Sequence, residues 1–188
     1  MKLVFATSNS TEFAKHLDAG YCFGMSCDWA NESLASERGR GVTHKGQLSE
    51  FKWAIGQTAY ETVDLADRTL IASMGLKVES YKKIAITSFE DVCRKAYALP
   101  VGTYVFCIDG DGGGHAMGFR RVTTTDVLGR TAESLQWLDP NLGLYGFTGQ
   151  SDFVTNAGAK LDELYGTGEA DPDERLMDNA EFFKVKKA

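Results

Sequence analysis

The sequence predicts an α+β protein in which helices come first and antiparallel strands second. Three observations carry this reading. Apolar residues recur at offsets of three and four in segments between residues 22 and 98. From residue 102 onward, β-branched and aromatic runs bounded by Gly, Pro and Asn take over. No repeat, linker or shift in composition divides the 188 residues, so a single domain is expected, helical over about 1–98 and sheet-forming over about 99–188.

Residues 1–20 read as a lead-in, with Asn9, Ser10 and Thr11 able to cap a short helix over Glu12-Phe13-Ala14-Lys15-His16-Leu17. From Cys22, the positions Met25, Ser26, Trp29, Ala30 and Ser33 line one face of a core helix that runs to about Ala35. Residues 36–46, with three glycines, three basic side chains and His44, have the composition of a solvated loop. Leu48, Phe51, Trp53, Ala54, Ile55, Ala59, Tyr60 and Val63 support a second helix, with Phe51 and Trp53 expected in the core beside Met25 and Trp29. Residues 65–74 support a third helix, stopping at Gly75. Ser88 caps a helix over 89–98 whose first-turn acids suit the helix dipole, and Pro100 with Gly102 ends the helical pattern.

The strands follow. Residues 102–108 and 115–122 flank a glycine-rich loop and predict a hairpin; residues 135–138 and 144–148 flank a turn at Asp139-Pro140-Asn141-Leu142-Gly143. Residues 122–133 leave room for an insertion between two of these strands. Residues 151–165 form a last helix with Phe153, Ala157, Leu161 and Leu164 on one face. The acidic stretch within 166–178 reads as an exposed loop, and residues 180–185 as an edge strand.

Composition narrows the function. Hydrophobic residues at 43% and charged residues at 24% supply a core and exclude a disordered chain. A net charge of −6 has the wrong sign for gripping nucleic acid or an anionic membrane, and no apolar run approaches the ~18 residues a spanning helix needs. The N-terminus lacks the apolar core of a cleavable signal peptide. The four cysteines contain no C-x-x-C pair, and the three histidines stand at no metal-ligand spacing, so neither a disulfide scaffold nor a structural metal is expected.

Three residues then stand out together. Cys22 follows Gly20-Tyr21 at a helix start, where unpaired N–H groups and the helix dipole favour a thiolate; the competing reading is an inert buried cysteine. His115 ends a four-glycine loop and is followed by Ala116, Met117 and Gly118, which leave room beside the imidazole; alone it reads equally as a hairpin histidine in solvent. Asp139 ends an apolar strand and can present a carboxylate from there, or merely form a turn. Thiol catalysis needs a nucleophile, a base and an orienting carboxylate, so the combination is more specific than its parts.

The segments Gly20-Tyr21-Cys22-Phe23-Gly24-Met25-Ser26-Cys27-Asp28-Trp29, Gly113-Gly114-His115-Ala116-Met117-Gly118 and Leu138-Asp139-Pro140-Asn141-Leu142-Gly143 resemble, in this order, the blocks of the YopT/AvrPphB-type cysteine peptidases, papain-like enzymes that bacteria inject into eukaryotic hosts. The resemblance implies a papain-like core, with Cys22 as nucleophile, His115 as general base and acid, and Asp139 as orienter. It also implies a thiol protease of the effector or toxin type, made in a bacterial cytoplasm and secreted or injected into a target cell. Its partners would be a protein substrate, with a host protein as one candidate, and an inhibitor or immunity protein; no metal or cofactor is called for. The amide side chain that papain-like enzymes place shortly before the cysteine has no counterpart in residues 14–21, so the oxyanion hole or groove is expected to draw on the Cys22 N–H with Asn9, or on Gly114 and Asn141. Alternatives on the same core are a glutamine deamidase or transglutaminase-like enzyme and a peptidoglycan amidase-type interbacterial toxin. A binding domain with no chemistry is the remaining alternative. Trp137 and Tyr145, beside the Asp139 turn, are expected to pack rather than to line a groove.

Overall fold

The computed structural model describes residues 1–8, 20–36, 41–62, 67–111, 113–125, 128–166 and 175–188. Among these, the alternating apolar residues of the second half build most of a seven-stranded antiparallel sheet. In chain order the strands are β1 (Lys2–Ala6), β2 (Leu76–Ala85), β3 (Gly102–Gly110), β4 (Gly113–Thr125), β5 (Thr131–Asp139), β6 (Gly143–Phe147) and β7 (Asn179–Lys187). Their spatial order is β1-β6-β5-β4-β3-β7-β2. Five α-helices accompany them: α1 (Cys22–Ala35), α2 (Glu50–Thr62), α3 (Asp67–Ser73), α4 (Phe89–Tyr97) and α5 (Gln150–Tyr165). The α+β class holds.

The sheet is apolar on both faces, because alternate residues of each central strand point opposite ways. Tyr104, Phe106, Met117, Phe119, Trp137 and Phe182 join α4 and α5 in one core, where Phe106 and Phe182 stack at 4.7 Å. Val105, Ala116, Leu138, Phe183 and Val185 join α1, α2 and α3 in the other. The protein is therefore three layers with the sheet in the middle. A helical half resting on a sheet half is corrected by this arrangement, since β1 and β2 arise from the first half of the chain and α5 from the second.

Several expected elements change. The lead-in contains β1, an edge strand on β6; the capped helix expected over residues 12–17 lies outside the described residues. The chain after Gly75, whose φ of 77° suits a residue without a Cβ, enters β2 at the other edge. Residues 180–185 are not an edge, because β7 pairs with β3 on one side and β2 on the other. The insertion expected over 122–133 is mostly ladder, with Val122 opposite Ser134 and Thr125 opposite Thr131. Phe51 is 71% exposed whereas Trp53 is buried. Two positions apart on a helix, they face in nearly opposite directions and cannot share a core. Leu176 is buried too, so the segment before β7 is not wholly a solvated loop.

Two glycines set the spacing of α1 and α2. A Cβ on Gly24 would stand 2.1 Å from the Trp53 carbonyl oxygen, and one on Gly56 would stand 3.0 Å from the Gly24 Cα. The backbones touch where no side chain intervenes. Asp28, buried on α1, fixes the pair by accepting from the Ser49 N–H at 2.8 Å and the Trp53 Nε1–H at 3.0 Å. At the far edge, β2 carries Lys77, Glu79, Lys82 and Lys83 and shifts register between Val78 and Ser80, devices that discourage an exposed strand from pairing with another chain. Among the described residues no helix is long and apolar enough to cross a membrane.

Candidate active site

Cys22 opens α1, His115 stands near the start of β4, and Asp139 ends β5. The register of β3 with β4 puts His115 opposite Ile108 at one end of the sheet, and the pairing of β4 with β5 brings Leu138 beside Gly118, so the turn after Asp139 lies at that same end. His115 and Asp139 share the parity of Met117 and Trp137, whose side chains belong to the α4–α5 layer. Cys22 arrives from the α1 layer on the opposite face.

The three side chains are in contact. His115 Nε2 lies 3.1 Å from Asp139 Oδ1. The carboxylate only accepts, so Nε2 carries the proton, and Nδ1 is left to face the Cys22 sulfur, with which the imidazole is hydrogen-bonded. All three are buried, with relative exposures of 5% for Cys22, 6% for His115 and 0% for Asp139.

Burial works against charge on both members of the pair. For Cys22 it raises the thiol pKa, but the hydrogen bond and charge of His115 and the N–H groups of Ala116 and Phe23 more than offset it, leaving the thiol below its ordinary value. For His115, burial lowers the imidazole pKa. The charge and hydrogen bond of Asp139, followed by those of Cys22, reverse this and raise it to about 10. Both shifts favour the thiolate–imidazolium form of the pair over the neutral one. Cys93 has no such partner: burial and then the charge of Glu90 push its thiol well above the usual range.

Asp139 is held by more than His115. Its Oδ1 accepts from the Asn141 backbone N–H at 2.9 Å, and the Tyr165 hydroxyl donates to both carboxylate oxygens at 3.1 and 3.0 Å. The Asn141 side-chain amide donates to the Tyr165 oxygen at 2.8 Å, and the Tyr165 ring lies 4.9 Å from the imidazole. Asn141, expected at the groove, instead belongs to this support: Asp139-Pro140-Asn141 is an Asx-type turn whose third residue turns its N–H back onto the aspartate. Burial, followed by the charge of Asp139, pushes the Tyr165 phenol above its ordinary range, so it remains a donor. Replacing Tyr165 by Phe is expected to lower unfolding free energy by about 2 kcal/mol, the scale of a hydrogen bond to a buried charge, read by urea denaturation. An unchanged midpoint would show that the hydroxyl bears none of this burden.

A cleft opens beside Cys22 and His115, lined also by Phe23, Gln57, Tyr60, Gly114 and Ala116, with Asp109 and Glu181 among its acidic neighbours. Gly114 is thus at the cleft, as the sequence suggests. Asn9 lies outside the described residues. Trp137 is core and stacks on Tyr145 at 5.6 Å, while His44 is exposed and away from the cleft. Among the described residues no group of three or more His, Cys, Asp or Glu side chains is placed to hold a metal ion.

Sequence reasoning missed Gln57 and Tyr165. Both carried a signal. Gln57 continues the inward stripe of α2 four residues after Trp53, and Tyr165 continues the series Phe153, Ala157, Leu161 on α5; a polar group on a buried stripe calls for a partner. No family model matches this chain, and neither does any curated protein.

Proposed function

We propose that this protein is a thiol hydrolase with a papain-like catalytic core, attacking an amide of a protein substrate through a Cys22 acyl-enzyme. The observation that carries the reading is the continuous relay from the Cys22 sulfur through His115 to Asp139, buried and oriented by Asn141 and Tyr165. Cys22 thiolate adds to the carbonyl carbon. The imidazolium then gives its proton to the departing amine, and neutral His115 activates the water that releases the acyl group. The resemblance of the three sequence blocks supports a peptidase of the bacterial effector or toxin type, secreted or injected, and directed at a protein of the target cell.

One observation favours a second reading on the same chemistry. Cys22 is only 5% exposed, and a nucleophile so enclosed is more readily met by a single glutamine side chain than by an extended backbone, as a deamidase or transglutaminase-like enzyme requires. Mass spectrometry of candidate protein substrates separates the two, since a peptidase yields two fragments and a deamidase a one-dalton gain.

The chemistry itself is tested by alkylation with iodoacetamide, followed cysteine by cysteine as a function of pH. Cys22 is expected to react at a pH below the ordinary thiol range, while Cys93 stays inert up to pH 9. In His115→Ala, the acid limb at Cys22 moves toward the pH of an ordinary or buried thiol. Turnover is expected to fall as pH rises past about 10, where the imidazolium loses the proton that the leaving amine requires. Cys22 reacting no faster than Cys93 in the parent protein would defeat the reading.

A further inference from the structure

We infer that Gln57 on α2 is a catalytic residue: its side-chain amide donates, together with a backbone N–H at the start of α1, to the oxyanion that forms when Cys22 attacks a carbonyl. This rests on the thiol-hydrolase reading and adds to it a residue from a part of the chain that no motif marks.

The observations begin with burial. Gln57 is 0% exposed, yet it lines the same cleft as Cys22 and His115. Its amide is oriented rather than free to flip, because Oε1 accepts from the Phe23 backbone N–H at 3.1 Å. That bond commits the carbonyl end to α1. The NH2 end carries two hydrogens, and Nε2 donates to Glu61 Oε1 at 3.1 Å, which accounts for one of them. The second belongs to an amide that lines the cleft beside the nucleophile.

Placement comes from the glycine contact. Gly24 and Gly56 let α1 and α2 touch backbone to backbone, and Gln57 is the next residue after Gly56, just as Phe23 precedes Gly24. Side chains at those two positions would hold the helices apart and withdraw the amide from the first turn of α1. The first-turn N–H groups of a helix have no acceptor within the helix; that of Phe23 is committed to Gln57 Oε1, so the Cys22 N–H is the companion donor.

The step assigned to Gln57 is the addition. The Cys22 thiolate forms a C–S bond, the carbonyl π pair moves onto oxygen, and the resulting alkoxide accepts from Gln57 Nε2–H. Collapse restores the carbonyl and expels the leaving group. An amine leaves with the proton of His115, and a phenolate leaves without one.

The test compares two reactions of Cys22 in the parent protein and in Gln57→Met, a substitution close in volume with no donor. Acylation by p-nitrophenyl acetate passes through an oxyanion; alkylation by iodoacetamide does not, because it displaces iodide at a saturated carbon. Acylation of Cys22 is expected to slow by about 100-fold in the variant, with alkylation changed less than about 3-fold, both corrected for Cys22→Ala. A merely structural role moves both rates together and overturns the inference, as does acylation at the parent rate. If Gln57→Met fails to fold, Gln57→Glu keeps the acceptor for Phe23 and removes the amide donor. A carboxylate at this position repels an oxyanion formed beside it and leaves alkylation without that penalty, so a lowered ratio of acylation to alkylation places the oxyanion at this side chain, and a ratio equal to the parent's overturns the inference. A parent protein whose Cys22 is neither rapidly alkylated nor acylated overturns the hydrolase reading along with this one. A reactive parent with an unaffected variant overturns this one alone.

Discussion

Cys22→Ala and His115→Ala are each expected to lower acyl transfer by at least about 1,000-fold, because members of a catalytic relay act as a unit and either loss disables the whole. The two differ in what they do to the fold. Removing the Cys22 sulfur deletes one atom at the mouth of a cleft, so the variant should unfold near the parent midpoint. Removing the imidazole takes from Asp139 the partner at 3.1 Å and leaves a fully buried carboxylate whose donors among the described residues are Asn141 and Tyr165. His115→Ala should therefore also lose stability, by about 3 kcal/mol on the scale of breaking one side of a buried charge pair. Steady-state acylation by p-nitrophenyl acetate and urea denaturation read the two effects separately. Parent-level acylation at another cysteine in Cys22→Ala would show that the relay is not the reactive centre.

Gly24→Ala is expected to be as damaging, although the change is a single methyl group. The new Cβ would meet the Trp53 carbonyl oxygen at 2.1 Å and the Trp53 Cα and carbonyl carbon at 2.8 Å, all of them backbone atoms that no rotamer change can move. The two helices must separate, which strains the Asp28 bonds to Ser49 and Trp53 and draws Gln57 away from Phe23. Overpacking of this kind costs about 3 kcal/mol. Gly114→Ala is the control: its Cβ would have as nearest neighbour the Ile108 carbonyl oxygen at 3.7 Å, an ordinary contact, so its urea midpoint should be close to that of the parent. Equal midpoints for the two variants would mean that the α1–α2 contact yields without cost.

The legible parts of this protein are those in which local pattern and tertiary role coincide. Cys22 to Ala35 reads as a helix because its apolar residues repeat at helical spacing, and they pack as that spacing requires. The β3–β4 and β5–β6 hairpins read from their strands and turns, and the elements that carry Cys22, His115 and Asp139 are where the pattern puts them. β2 was hidden for a physical reason. An edge strand pairs on one side only, and Lys77, Glu79, Lys82 and Lys83 give it the composition of a loop until β7, about a hundred residues later, supplies the ladder. β1 depends likewise on a distant partner, β6. Gln57 and Tyr165 were overlooked because their roles are defined by atoms on other elements: the Phe23 N–H for one, the Asp139 carboxylate for the other.

The layered construction has a bearing on how this protein would fail. Cys22 is anchored in the core that α1, α2 and α3 share with one sheet face, whereas Asp139 is secured by Tyr165 from the core on the other. Proteins open in cooperative units that need not share one free energy. Fast alkylation at Cys22 therefore requires both units closed at once, and it should vanish at whichever of them melts first. During thermal or urea titration, thiol reactivity would serve as a gauge of the weaker layer, ahead of any helix or sheet signal that the stronger layer still supplies.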